Sequence, residues 1–373
     1  MIIDSHVYCF EPVDETAGFE SAEEHLWWVQ EAQGLHFQPA WRIRDRTPTS
    51  SDVLIPDTYT TSSELPDVRF RVDRERGRIV WTVDGEDYTK HFFPPNLRNL
   101  EFTPHSMVAE MDHAGVDMAV IHSYPMLTRG AAFLAQCVRL YPDRLRAMAP
   151  VNECRILRET DAVIEELDTA IRTYGLHAIK FNTRPAYLDT SEPWDAEAYR
   201  PFWDAATAYG VPIFLTLGTG IPRPRSAAAA REGYMDEQRV LMRWMERYPD
   251  ATVNLTHGFP WRAFVNGGTF REMPQDIWAP FRNPRCYLEV CFPIRIGDLF
   301  DFPYREVWPV LEAMVEHVGV ERLNWGTDMP FQNRFCTYRQ NRDWIEKYCT
   351  FLGEEDLAML MGGTCASLLG LSG

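Results

Sequence analysis

The sequence predicts a single (β/α)8 TIM barrel, and three observations carry that prediction. Eight short apolar runs rich in β-branched and aromatic residues recur along the chain, and stretches with helical spacing of apolar side chains lie between them. A length of 373 residues is too long for one small core and suits one large barrel spanning 1–373. No Gly-x-Gly-x-x-Gly turn follows the first run, although a doubly wound dinucleotide-binding sheet would usually carry one.

The first strand is expected over residues 2–8, in IIDSHVY. The second, over 117–123, follows a helical stretch, TPHSMVAEMDHAG, that ends in Gly115, a residue free to adopt the left-handed cap. The third to eighth strands are expected over 145–151, 176–182, 211–217, 251–257, 286–292 and 323–328. Helices are expected over 159–174, 236–248 and 304–318, from apolar positions such as Val163, Leu167 and Ile171 or Val240, Leu241 and Trp244. Residues from about 11 to 100 break this rhythm, because a barrel connection needs far fewer. Alternating residues in VRFRVDRERGRIVWTVDGEDYTKHFF, with turns at Glu75-Arg76-Gly77 and Asp84-Gly85-Glu86, predict a hairpin or small meander there. This insertion is expected to be a lid over the site or an oligomer contact.

The net charge of −17 repels nucleic acid and anionic membranes, so an anionic substrate would need a local basic patch. No run approaches the length of a membrane span, and no charged-then-apolar leader opens the chain. The eight cysteines are scattered with no Cys-x-x-Cys, as expected of a protein of the reducing cytoplasm.

In a β/α barrel the chemistry gathers where the strands end at their C-terminal side. The predicted strands deliver His6 and Tyr8 from strand one, His122 from strand two, Lys180 from strand four and Thr216 from strand five. Strands six, seven and eight add His257, Glu289 and Asp328. Alternation puts His6 and Tyr8 on one face of their strand, pointing into the barrel mouth together. Lys180, Arg184 and Arg262 are candidates to bind a carboxylate, and Trp261, Phe259, Phe292 and Phe331 to wall a flat pocket.

The motifs IIDSHVY, HAIKFN, GVPIFLTLG, NLTHGFPW, WGTDMPF and the closing MGGTCASLLGL, in this order, resemble the amidohydrolase superfamily. The branch is the one containing aminocarboxymuconate-semialdehyde decarboxylase and related decarboxylases, hydratases and lactonases. The resemblance implies a divalent metal, zinc foremost, held by a His-x-His on strand one, a histidine on strand five and an aspartate on strand eight. Carried over by position, His6 and Asp328 are the implied ligands and His257 the histidine that assists proton transfer. Tyr8 and Thr216 stand where histidine ligands are expected, so metal-assisted and metal-free sites both stay open.

The reading that follows is a hydrolase of amidohydrolase type acting on a small carboxylated cyclic or aromatic compound, a lactone or amide. Asp328 would activate water, His257 and His6 would assist, and Tyr8, His122, Lys180, Thr216, Trp261 and Glu289 would contact substrate. One alternative is a non-oxidative, metal-dependent decarboxylase of an aromatic acid. Another is a barrel that binds without turnover. The expected partners are the small-molecule substrate and a second copy of the chain in a homodimer.

Overall fold

The computed structural model describes residues 1–56, 65–221, 223–270 and 273–371. Eight parallel strands form one sheet in chain order: β1 (Ile3–Val7), β2 (Met118–Ile121), β3 (Leu145–Ala149), β4 (Ala178–Asn182), β5 (Ile213–Thr216), β6 (Val253–Leu255), β7 (Cys286–Val290) and β8 (Leu323–Trp325). The sheet returns on itself just past the end of β8. Tyr8 donates its backbone N–H to Met329 O at 2.7 Å, and Asp328 donates to His6 O at 2.8 Å. These two bonds stitch β1 to the segment that carries Asp328, so closing the barrel also sets the site.

Every predicted strand forms, one to three residues shorter at one or both ends. The helix expected over 159–174 is an α-helix, Thr160–Asp168, continued by a π-helical turn, Thr169–Thr173. The helix expected over 236–248 begins earlier and spans Ala227–Arg247. Ser226 caps its N-terminus by accepting the Ala229 N–H, so the tetra-alanine run is a first helical turn. Gly115 caps its helix at φ 72°, as expected.

The insertion contains the predicted meander and more. Strands Arg71–Asp73, Arg78–Val83 and Glu86–Lys90 form an antiparallel meander whose last strand pairs with Ala40–Arg42, which pairs in turn with Pro48–Thr49. A helix at Ala22–Leu35, not expected from periodicity, precedes them. Its low amphipathicity has a visible cause: polar His25, Gln30, Glu31 and Gln33 are buried beside Trp28 and Val29. Each of the first three has a partner, as when His25 spans the carbonyls of Glu15 and Met126 and Glu31 pairs with Arg184.

Aromatic side chains fill the layer between barrel and helices. Trp203 is fully buried, donates its indole N–H to Trp194 O at 2.7 Å, and packs on Phe181 and Trp244 at centroid distances of 4.6 and 5.1 Å. Trp203→Ala is expected to destabilise the fold by about 3–5 kcal/mol in denaturant unfolding, and a loss under about 1 kcal/mol would show that this layer is not structural. Among the described residues, no helix is long and apolar enough to cross a membrane.

Candidate active site

Two site residues sit in a backbone region that side chains rarely adopt. His257 has φ 65° and Asp328 has φ 64°. Such geometry costs on the order of 1–3 kcal/mol per residue and persists only where the surroundings impose it. The surroundings of Asp328 do so. Its N–H is bonded to His6 O, and the neighbouring Thr327 hydroxyl donates to the buried Asp4 carboxylate at 2.5 Å. Gly326 fits there because a Cβ would lie 2.7 Å from Glu289 Oε1 and 2.9 Å from His6 Cβ. Gly326→Ala is therefore expected to lower both stability and turnover, and unchanged values for both would contradict this packing.

His6 is the hub. Its Nδ1 lies 3.1 Å from both Glu289 oxygens, and its Nε2 lies 2.9 Å from the Tyr8 hydroxyl and 3.5 Å from Asp328 Oδ1. With Nδ1–H donated to Glu289, Nε2 carries the lone pair and accepts from Tyr8. That lone pair also faces Asp328 Oδ1. Two ligands bound tetrahedrally to one zinc-sized ion stand about 3.4 Å apart, so the 3.5 Å gap fits a shared divalent ion. Glu289 then occupies the place of the carboxylate that orients a metal-binding imidazole from behind.

His257 completes this group. Its ring centroid lies 4.6 Å from that of His6, and its buried Nδ1 has no hydrogen-bond partner among the described residues. Its backbone N–H donates to Glu289 Oε2 at 2.5 Å. Burial holds its pKa well below the usual histidine value, so the ring is neutral at neutral pH. A deeper grouping of His6, His257, Glu289 and Cys291 also brings ligand atoms within 4.8 Å of one another. It suits an ion less well, because burial pushes the Cys291 thiol well above its ordinary pKa and the thiolate is the ligand.

The structure separates the predicted substrate contacts. A cavity of about 240 Å³ opens beside Asp328 and His257, and Tyr8 and Thr216 line it. His122, Lys180, Glu289 and Trp261 do not. His122 stacks on the far face of His6 at 3.7 Å and donates to Ser5 O. Lys180 donates to Thr216 Oγ1 at 2.6 Å and to Thr256 Oγ1 at 3.1 Å. Trp261 is fully buried, with its indole N–H on His257 O, so it fixes the loop after β6 and does not wall the pocket. Arg184 and Arg262 are spent on Glu31 and Asp298.

The aromatic wall comes from Phe331 and from two insertion residues, Phe37 and Phe92, which gives the insertion a place over the site. Arg295 and Arg334 supply the positive charge there, and sequence reasoning passed over both. Arg295 follows β7 by five residues and Arg334 follows Asp328 by six, beyond the strand ends that were searched. A larger cleft of about 590 Å³, near Arg129 and Asn152, contains none of His6, His257 or Asp328.

Burial raises the Asp328 pKa above its ordinary value, while His6, Arg334 and Arg295 pull it back. A carboxyl so placed can hold a proton nearer to neutral pH than an exposed one.

Comparison with known proteins adds chemistry to this geometry. A family model described as amidohydrolase matches residues 25–371. Gamma-resorcylate decarboxylase from Polaromonas sp. (strain JS666 / ATCC BAA-500) is 22% identical over 275 residues, covering 65% of this chain and 76% of that protein. The crystal structure of 2,6-dihydroxybenzoate decarboxylase from Rhizobium superposes with a TM-score of 0.55 at 19% identity, covering 74% of this chain and 90% of that one. A dihydroxybenzoic acid decarboxylase from Polaromonas sp. JS666, with bound manganese and the inhibitor 2-nitroresorcinol, does so with a TM-score of 0.54 at 21% identity, covering 74% and 89%. The structural likenesses establish the shared barrel.

These relatives overturn the expected lactone or amide hydrolase, since they are decarboxylases of aromatic acids. The hydrolase reading rested on the missing histidines at Tyr8 and Thr216. The Tyr8 hydroxyl donates to the same His6 Nε2 that faces Asp328, so an ion between that pair would displace it from the lone pair.

Proposed function

This chain belongs to the amidohydrolase family, and on that premise we propose that it is a non-oxidative decarboxylase of a small aromatic acid. One observation carries the reading. A buried carboxyl with a raised pKa, Asp328, opens onto a cavity that Phe37, Phe92 and Phe331 also line. Hydrolysis needs a base that takes a proton from water. Loss of carbon dioxide from a ring needs an acid that gives a proton to carbon.

Asp328 is assigned that role. Oδ1 is the oxygen turned to His6, which leaves Oδ2 to carry the proton. The proton passes from Oδ2 to the ring carbon bearing the departing carboxylate. The bond to the carboxylate then breaks, and its electron pair restores the aromatic ring as carbon dioxide leaves. Phe37, Phe92 and Phe331 hold the ring flat and exclude water from the carboxyl. His257, neutral and partly exposed to the cavity, is placed to accept from a substrate hydroxyl. His6 and Asp328, with His257 beside them, would hold a divalent ion, which would supply positive charge against the substrate's oxygens.

The test is a panel of hydroxybenzoic acids with one or two carboxylates, followed by NMR in D2O. The expected result is conversion to the decarboxylated phenol, deuterated at the vacated carbon. Hydrolysis of lactones or amides with every acid left intact would overturn the reading. Elemental analysis is expected to find about one divalent ion per chain, and chelation to lower turnover with recovery on adding manganese. Full turnover by metal-stripped protein would remove the ion from the account.

A further inference from the structure

We propose that the cavity selects aromatic acids bearing a second acidic group, retained through the reaction and held by Arg295 and Arg334. The inference rests on the decarboxylase reading for the fate of the first carboxylate only. The second subsite stands on its own geometry.

Both guanidiniums face the same 240 Å³ cavity. Arg295 has no side-chain hydrogen bond or ion pair among the described residues, and its Nε is buried with no acceptor. Arg334 donates Nε to Phe331 O at 3.1 Å and Nη1 to Phe92 O at 2.7 Å, which fixes the fork without neutralising it. Phe92, Phe331 and Phe335 lie 5.4–5.7 Å from its central carbon, so it is stacked as well as tethered. Two arginines without an ion pair among the described residues thus line one cavity in a chain of net charge −17.

Asp328 offsets part of that charge without bonding to either guanidinium. His36, at the insertion side, is held well below its ordinary pKa by burial and by Arg334 and Lys90, and His257 is likewise neutral. Asp328 is the one carboxylate lining the cavity, and its Oδ1 is turned to His6 Nε2 at 3.5 Å. Burial lowers the pKa of Arg295, and also that of Arg334 to about 10. An aromatic acid whose one carboxylate sits beside Asp328 leaves the arginines without an anion. A second carboxylate answers them, and its plane matches a guanidinium fork. The departing carboxylate belongs beside Asp328, so the retained group is the one on the arginines.

The experiment is calorimetric binding of unreactive probes to intact protein: benzoate against benzene-1,3-dicarboxylate. The dicarboxylate is expected to bind about 10- to 100-fold more tightly, the scale of one charge-assisted pair. Arg295→Met and Arg334→Met should each remove most of that preference. Arg295→Lys should restore part of it, which separates lost charge from a damaged fold; unfolding curves check the latter. Equal binding of the two probes by the wild type overturns the inference even if carbon dioxide release is found. A preference that survives both methionine variants overturns it as well. The preference without any decarboxylation would instead sink the functional reading and leave the dianion subsite intact.

Discussion

Asp328→Asn is expected to lower kcat for decarboxylation by about 10²- to 10⁴-fold, the usual contribution of a positioned acid, with KM changed far less. The asparagine side chain keeps the size and the backbone position set by the Asp328–His6 bond. It cannot carry the proton to carbon. It also removes the charge that would share an ion with His6 Nε2 across 3.5 Å, so bound metal is expected to fall together with turnover. Steady-state kinetics with metal analysis checks both. A variant retaining more than about a tenth of wild-type kcat would place the acid elsewhere, with His257 the next candidate.

Glu289 is the position where one atom change should spread furthest. Its buried carboxylate accepts from three groups, two on β1 and one just past β6: the Ser5 hydroxyl at 3.3 Å, His6 Nδ1 at 3.1 Å and the His257 backbone N–H at 2.5 Å. It therefore fixes the His6 tautomer and the strained turn at His257 in one stroke. Glu289→Gln is expected to reduce metal affinity or turnover about 10- to 100-fold, as for other carboxylates that orient a ligand histidine. Glu289→Leu leaves three buried donors unpaired and should destabilise the fold by about 3 kcal/mol or more. If Glu289→Gln were silent in both kinetics and metal content, His6 would be oriented by Tyr8 and packing alone.

The barrel was legible because each strand is a short apolar run whose identity survives without partners, and because parallel strands deliver their ends to one rim. That is why His6, His257 and Asp328, separated by hundreds of residues, meet as expected. The same logic failed for Trp261 and Lys180. Alternation tells which way a strand residue points, but not how deep in the barrel it lies, and it says nothing past the last hydrogen bond. Trp261 turns inward through its bond to His257 O, and Lys180 is held by Thr216 and Thr256 beneath the cavity.

Arg295 and Arg334 were missed for the converse reason. They lie on short helical turns after β7 and β8, where side-chain direction depends on backbone turns that composition does not encode. The long helix of the insertion was hidden by its buried polar residues, which remove the apolar stripe that periodicity detects. Tyr8 and Thr216 depart from the histidines that the resemblance implies, and the structure gives each a partner. Thr216 takes the Lys180 ammonium and Tyr8 serves His6, so the pair that remains is supported and not merely depleted.

Carbon-13 labelling of the carboxyl group tests the central claim most directly. Purified protein is incubated with carboxyl-labelled 2,6-dihydroxybenzoate and a dicarboxylated analogue, and the trapped gas is measured against phenol formed. The account predicts labelled carbon dioxide in equal amount to the phenol from wild-type protein, and near-background release from Asp328→Asn. Label that stays in the acid while the wild type cleaves an ester or amide, or release that is the same in the variant, would contradict it.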